Sequence, residues 1–257
     1  MKQILADIAD IAGLISQRGW AERNAGNVSV DVTEDSGWAS GLRRGRRVRT
    51  PVNYPELAGR SFLVTATGAR FRDVARHPDK HVVLAKVADD LSGYQILLSP
   101  GENVDLLTTS EFPSHLSVHA YLRRVHPQKR AVLHTHPDHL LALTHIGRYC
   151  STERLSHLLW SMHPEMKIVM PDGVGLVPYC LPGSEDLAEA TVKVLEQHRL
   201  VLWEKHGCVA VGRDVFEAFD LIDTAEKSAH IFLMVRSAGF EADGLTDKQL
   251  NELRPLA

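Results

Sequence analysis

The stretch LVLWEKHGCVAVG, residues 200–212, constrains the fold more than any other part of the chain. Two apolar strand-like runs are joined around Lys205-His206-Gly207, a connection short enough for a hairpin. A parallel pair would need a crossover of a dozen or more residues, so this pair is antiparallel. Further strands are expected in SFLVTATG (61–68), HVVLAKVA, YQILLSP (stopped by Pro100) and RAVLHTHP. The run KIVMPDGVGLVPY reads as strand, Asp-Gly turn, strand. Helical spacing marks about 3–19, where Ile4, Ile8, Ile11 and Leu14–Ile15 share a face. TTSEFPSHLSVHAYLRRV starts a helix, with Pro113 in its first turn and Leu116 and Ala120 following. PDHLLALTHI and SEDLAEATVKVLEQH are two more, the latter with acids in its first turn. A last helix is capped by Asp214 with Glu217 three residues on, a variant of the capping box. Its core face is Val215, Phe219, Ile222, Ala225, Ala229 and Phe232. Helices alternate with short β pieces, and many connections suit hairpins. The expectation is an α/β fold of one domain over 1–257: a mixed, largely antiparallel central sheet with helices on both faces.

Composition narrows the function. A net charge of −3 argues against a nucleic-acid protein, which would be strongly basic. The basic run GLRRGRRVRT (41–50) is expected to be a solvated loop or interface segment rather than a polyanion patch. Asp7 and Asp10 interrupt the apolar start, so it is read as neither a signal peptide nor a membrane span. Three cysteines far apart, Cys150, Cys180 and Cys208, suggest a reducing compartment and no disulfide framework. Without a secretion signal, the glycosylation sequon at Asn27-Val28-Ser29 carries no weight. A cytoplasmic location is expected, with no membrane partner.

Chemistry concentrates in histidines and in polar turns. Residues two apart on a strand point the same way, so His134 and His136 present two imidazoles side by side at a strand end. A catalytic zinc takes three protein ligands and keeps one position open. His206, after LVLW and before Gly207, is the best third ligand; the alternative is a surface pair and an unrelated loop histidine. Glu111, His115 and His119 fall four apart, but Pro113 puts Glu111 at or before the first turn. His115 and His119 are therefore read as helix-surface or packing residues. Glu111 follows Thr108, Thr109 and Ser110 just ahead of a helix N-terminus, where it could cap the helix or act as a base. Asn24 and Asn27 flank Gly26 in NAGN, and Thr67-Gly68 ends TATG. Three donor-rich turns with few cations suggest a phosphate or sugar pocket.

The ordered segments ERNAGN, TSEFPSH, HTHP, MPDGVGLVPYCLPGSEDL, LVLWEKHG and LIDTAEKSA resemble the class II, zinc-dependent sugar-phosphate aldolases. The likeness extends from about 20 to 230, with a gap around 32–60. It implies a class II aldolase-like three-layer sandwich and reversible cleavage of a sugar phosphate into dihydroxyacetone phosphate and an aldehyde. His134, His136 and His206 would hold one zinc ion per subunit, and Glu111 would transfer the proton. Asn24, Gly26, Asn27, Thr67, Gly68, Thr109 and Ser110 would line the phosphate site. Glu165 would reach a neighbouring subunit's site and help at the aldehyde end; otherwise it is a surface acid. The resemblance also implies a fourfold homotetramer with sites at subunit contacts. Thr67 stands where the family often has Ser, keeping a hydroxyl donor, and Ala25 replaces a glycine of relatives. The arginine-rich segment has no assigned counterpart. Alternatives are another aldolase, epimerase or dehydratase acting on a different sugar phosphate, or a non-catalytic interaction module, which should lack the histidines or the glutamate.

Overall fold

The computed structural model describes residues 2–35, 41–98, 105–253 and 256. The elements are α1 (Lys2–Arg18), β1 (Asn27–Asp31), β2 (Arg43–Val48), β3 (Ser61–Thr65), α2 (Phe71–Arg76), α3 (Pro78–His81), β4 (Val82–Val87) and β5 (Tyr94–Leu98). They continue with α4 (Phe112–Val125), β6 (Ala131–Thr135), α5 (Asp138–Leu143), α6 (Thr152–Met162), α7 (Pro164–Val169), β7 (Gly175–Val177), α8 (Glu185–Leu195), β8 (Leu200–Trp203), β9 (Gly207–Gly212), α9 (Val215–Ser237) and α10 (Asp247–Glu252).

Among the described residues nine strands form one sheet in the order β2-β5-β4-β3-β1-β6-β9-β8-β7. Every pairing is antiparallel except β7 with β8. The period-two rule sorts its side chains into two cores. On one face Val28, Val30, Leu63, Ala131, Leu133, Leu202 and Ala210 pack against α1, α2, α5, α6 and α9. On the other, Phe62, Val64 and Ala85 pack with Phe112 and Leu116, and Val132, Val201 and Val209 with Val118, Leu122 and Leu187, beneath α4 and α8. The mixed sheet with helices on both faces is therefore present, and the fold is a single α/β domain.

Several local expectations need correction. KIV is not a strand: Pro164 sits in the first turn of α7, and Met166 and Met170, four apart, are both fully buried. Gly173 does turn the chain, at φ +73°, but the strand that follows pairs in parallel with β8. Residues 43–48 form an edge strand rather than a loop, paired among the described residues only with β5, through an irregular register between Arg44 and Arg47. Asp214 caps α9 by accepting from Glu217 N, but the Glu217 carboxylate reaches back to Arg213 N, one residue beyond the box position. The stop at Pro100 lies outside the described residues. Among the described residues no helix is long and apolar enough to cross a membrane.

Candidate functional site

The β8–β9 hairpin delivers the third histidine of a candidate metal centre. Trp203 pairs with Gly207 across a three-residue loop in which Lys205 takes the left-handed region (φ +59°). This lifts His206 over the end of the neighbouring β6, where His134 pairs with Val209 and Thr135 with Cys208. A Cβ on Gly207 would lie 2.6 Å from His136 Cδ2 and 3.2 Å from His134 Cε1, so the imidazoles close over it. His136, just past β6, is held by its N–H to Trp20 O (2.8 Å). The three rings converge with centroids 5.0–5.5 Å apart, and their ligand nitrogens all lie within 4.8 Å of one another.

The chemistry of this donor set fits a divalent metal ion. His134 Nδ1 donates to Cys208 O (2.8 Å) and His136 Nδ1 donates to the Glu22 carboxylate (3.0 Å). Each bond fixes the tautomer that leaves an Nε2 lone pair aimed at the common point. Burial, with His136 and His206 beside it, holds the His134 pKa well below the usual imidazole value. Burial also lowers that of His206, against the pull of Glu111. Neutral imidazoles are the ligating form. Three nitrogens with an open side match a catalytic rather than a closed structural centre.

Glu111 is the N-cap residue of α4 yet makes no side-chain capping bond. Its carboxylate turns into the site instead, accepting from Asn27 Nδ2 at 2.6 Å and lying 3.7 Å from His134 Nε2 and 4.0 Å from His206 Nε2. Pro113 has no N–H to satisfy in that first turn, which eases the loss of a cap.

The three polar turns meet here. Asn24, Gly26, Asn27, Thr67, Gly68, Thr109, Ser110 and Glu111 line one cavity of about 210 Å³ with His134, His136 and His206. Gly26 is required: at φ +75°, a Cβ would meet Phe71 Cε2 at 2.7 Å and His134 O at 2.9 Å. The Thr65–Thr109 strip is tied by Thr109 N to Thr65 O and Thr67 N to Leu107 O, both 2.8 Å. The Thr67 hydroxyl donates to Thr108 O. Among the described residues the N–H groups of Gly68 and Ser110 have no partner within the protein. Among the described residues no lysine or arginine lines the cavity, so an anion there would be held by neutral donors.

Residues 6–233 match the class II aldolase and adducin N-terminal domain model. The chain belongs to that family. It carries the three imidazoles and the glutamate, and it is an aldolase, a carbon–carbon lyase. Rhamnulose-1-phosphate aldolase of Bacteroides thetaiotaomicron is 40% identical over 250 residues, covering 96% of this chain and 91% of that protein. The Listeria monocytogenes (strain F2365) protein of the same name is 34% identical over 251 residues, 97% of this chain and 91% of its own length. Among solved structures, a sugar-phosphate aldolase from Thermotoga maritima superposes with a TM-score of 0.79 at 35% identity, covering 95% of this chain and 99% of that one.

Glu165 is not brought to this site within the chain. It lies in the first turn of α7, 63% exposed, 3.8 Å from His163 Nε2, and borders a separate cavity of about 520 Å³ with Arg18, Trp20, His139 and Glu226. Sequence reasoning missed three supporting groups. Glu22 holds His136, and its signal was its place at the head of ERNAGN. Trp203 packs with tilted rings against both His134 (centroids 4.6 Å apart) and His206 (4.9 Å). Glu226 on α9 accepts from His139 N (3.0 Å) and Leu140 N (2.8 Å), capping α5 directly after the HTHP ligands.

Proposed function

We propose that this chain is a zinc-dependent aldolase that reversibly cleaves L-rhamnulose 1-phosphate into dihydroxyacetone phosphate and L-lactaldehyde. The observation that carries the reading is the convergence of His134, His136 and His206 beside a carboxylate and a donor-lined cavity. The named relatives, similar over nearly their whole length, support the particular substrate.

In this reading His134, His136 and His206 would hold one zinc ion per subunit, which would supply Lewis acidity toward the hydroxyketone oxygens. Glu111 takes the proton from the adjacent carbon in the synthetic direction. The Asn27 amide keeps its carboxylate aimed while one carboxylate oxygen remains available. Asn24, Gly26, Asn27, Thr67, Gly68, Thr109 and Ser110 cradle the phosphate. The second N–H of Asn27 and the free N–H groups of Gly68 and Ser110 supply donors. Phosphate binding far from the reacting bond orients the hydroxyketone at the ion and at Glu111. Trp203 and the hairpin exclude water behind the imidazoles.

The aldehyde end is assigned to Glu165 of an adjacent subunit in a homotetramer. This suits its exposed position on α7, outside its own chain's metal site. Residues 1–257 are assigned to one class II aldolase-like domain, since α10 is tied back to α6 by Leu245 N to Ser161 O (2.8 Å) and buries Leu250. The enzyme is placed in the cytoplasm, where three free cysteines suit a reducing environment.

The test mixes dihydroxyacetone phosphate and L-lactaldehyde with the holoenzyme and identifies the sugar phosphate formed. L-Rhamnulose 1-phosphate as the main product is expected; a different ketose phosphate, or no condensation, refutes the assignment. Borohydride added with substrate should not trap the protein, because no lysine Schiff base is involved.

A further inference from the structure

On β1, the side chains of Asn27, Ser29 and Asp31 share the face that meets α4, where Glu111, His115 and His119 lie four residues apart. Between them runs a polar seam flanked by the two apolar clusters of that layer. Asn27 Nδ2 donates to Glu111 Oε2 at 2.6 Å. Ser29 Oγ lies 2.7 Å from His115 Nδ1 and 2.8 Å from His119 Nε2. Asp31 accepts from Arg60 Nε at 2.6 Å and from Thr33 N and Oγ1, and its charge acts on His119. Resting on the reading of Glu111 as the base, we propose that this buried ladder, centred on Ser29, His115 and His119, positions the Glu111 carboxylate for proton transfer.

The residue chemistry favours a positioning role over mere packing. Ser29 is fully buried, and both rings are almost so. Burial holds the His115 pKa at about 3 and the His119 pKa at about 4, so both rings are neutral near pH 7. A hydroxyl has one proton, so Ser29 donates to one ring and accepts from the other. That locks complementary tautomers and fixes both rotamers. The arrangement carries a stability penalty, because His115 Nε2 is buried without a partner. An apolar seam would serve the core as well; what the ladder adds is a defined register between β1, which carries Asn27, and the first turn of α4, which carries Glu111. Glu111 has no capping bond to hold it, so its aim depends on that register.

The test measures exchange of the hydroxyketone proton of dihydroxyacetone phosphate with solvent, without aldehyde, in metal-loaded wild type, Ser29→Ala, Ser29→Thr and His119→Phe. The expected result is about a tenfold fall in the exchange kcat for Ser29→Ala and His119→Phe, equivalent to about 1.4 kcal/mol. KM and metal content should stay unchanged, and Ser29→Thr, which keeps the hydroxyl, should recover most of the rate. A Ser29→Ala enzyme exchanging at the wild-type rate overturns the proposal. So does a loss carried by KM or metal content, or equal losses in the Ala and Thr variants. If wild type itself shows no exchange, Glu111 is not the base and both readings fall; normal wild-type exchange with an unaffected Ser29→Ala removes the ladder alone.

Discussion

His206 is the proposed ligand that isolates the metal question, because it comes from the β8–β9 hairpin while the other two come from the end of β6. His206→Ala is expected to lower bound zinc and activity together, by metal analysis and by assay; full occupancy in the variant refutes its assignment. Glu111→Gln should keep zinc yet lose exchange of the hydroxyketone proton, by about 10²–10⁴-fold for a general base. Glu22→Gln, which weakens the bond holding His136, should cost about 10–100-fold in zinc affinity, read by competition with a chelator. The histidine cluster itself was legible in the chain: His-x-His on a strand follows from period two, and His206 from its place between LVLW and Gly207. Glu22 and Ser29 were not. Their partners lie 114 and 86–90 residues away, just past β6 and on α4, and no local pattern announces a side-chain contact made only by tertiary packing.

Strand and helix types followed the periodicity wherever it was strong, as in α1, α9 and the β8–β9 hairpin. Segment 164–177 failed because the apolar run Ile168-Val169-Met170 is too short for its period to decide between helix and strand. The helix prevailed through Pro164 and the burial of Met166 and Met170 in the core beneath α9. Helix α4 makes a testable claim about pH. His115 and His119 titrate near 6.5 when unfolded but near 3 and 4 when folded, so protons below pH 6.5 favour the unfolded chain. Their stabilising effect is complete above pH 6.5 and is lost as pH falls toward 4, at up to about 1.4 kcal/mol per pH unit for each ring. Melting temperature should drop across that window, and His119→Asn should flatten the slope. A slope unchanged by that substitution contradicts the buried neutral state.

The sheet as a whole sets one end of its strands against the cavity and leaves β2 as its outer edge. That edge carries Arg43, Arg44, Arg46 and Arg47, charged and exposed, with an irregular register; both features discourage another strand from pairing there. The α/β class and the two-sided helical cover were readable from hairpin-length links between apolar runs. The parallel β7 edge was not, since three residues carry too little pattern. The proposed assembly bears on Glu165, which lies outside the histidine cavity of its own chain. Glu165→Ala should therefore slow aldol cleavage while leaving hydroxyketone exchange intact, because only the aldehyde end is touched; loss of both would contradict that division. The proposed activity rests on a divalent ion shared by three imidazoles. Its most direct test is the rate of L-rhamnulose 1-phosphate cleavage after exhaustive chelation and during stepwise return of zinc. The rate should fall at least ~100-fold and recover linearly to a plateau at one ion per chain. Undiminished cleavage by the metal-free protein would contradict it.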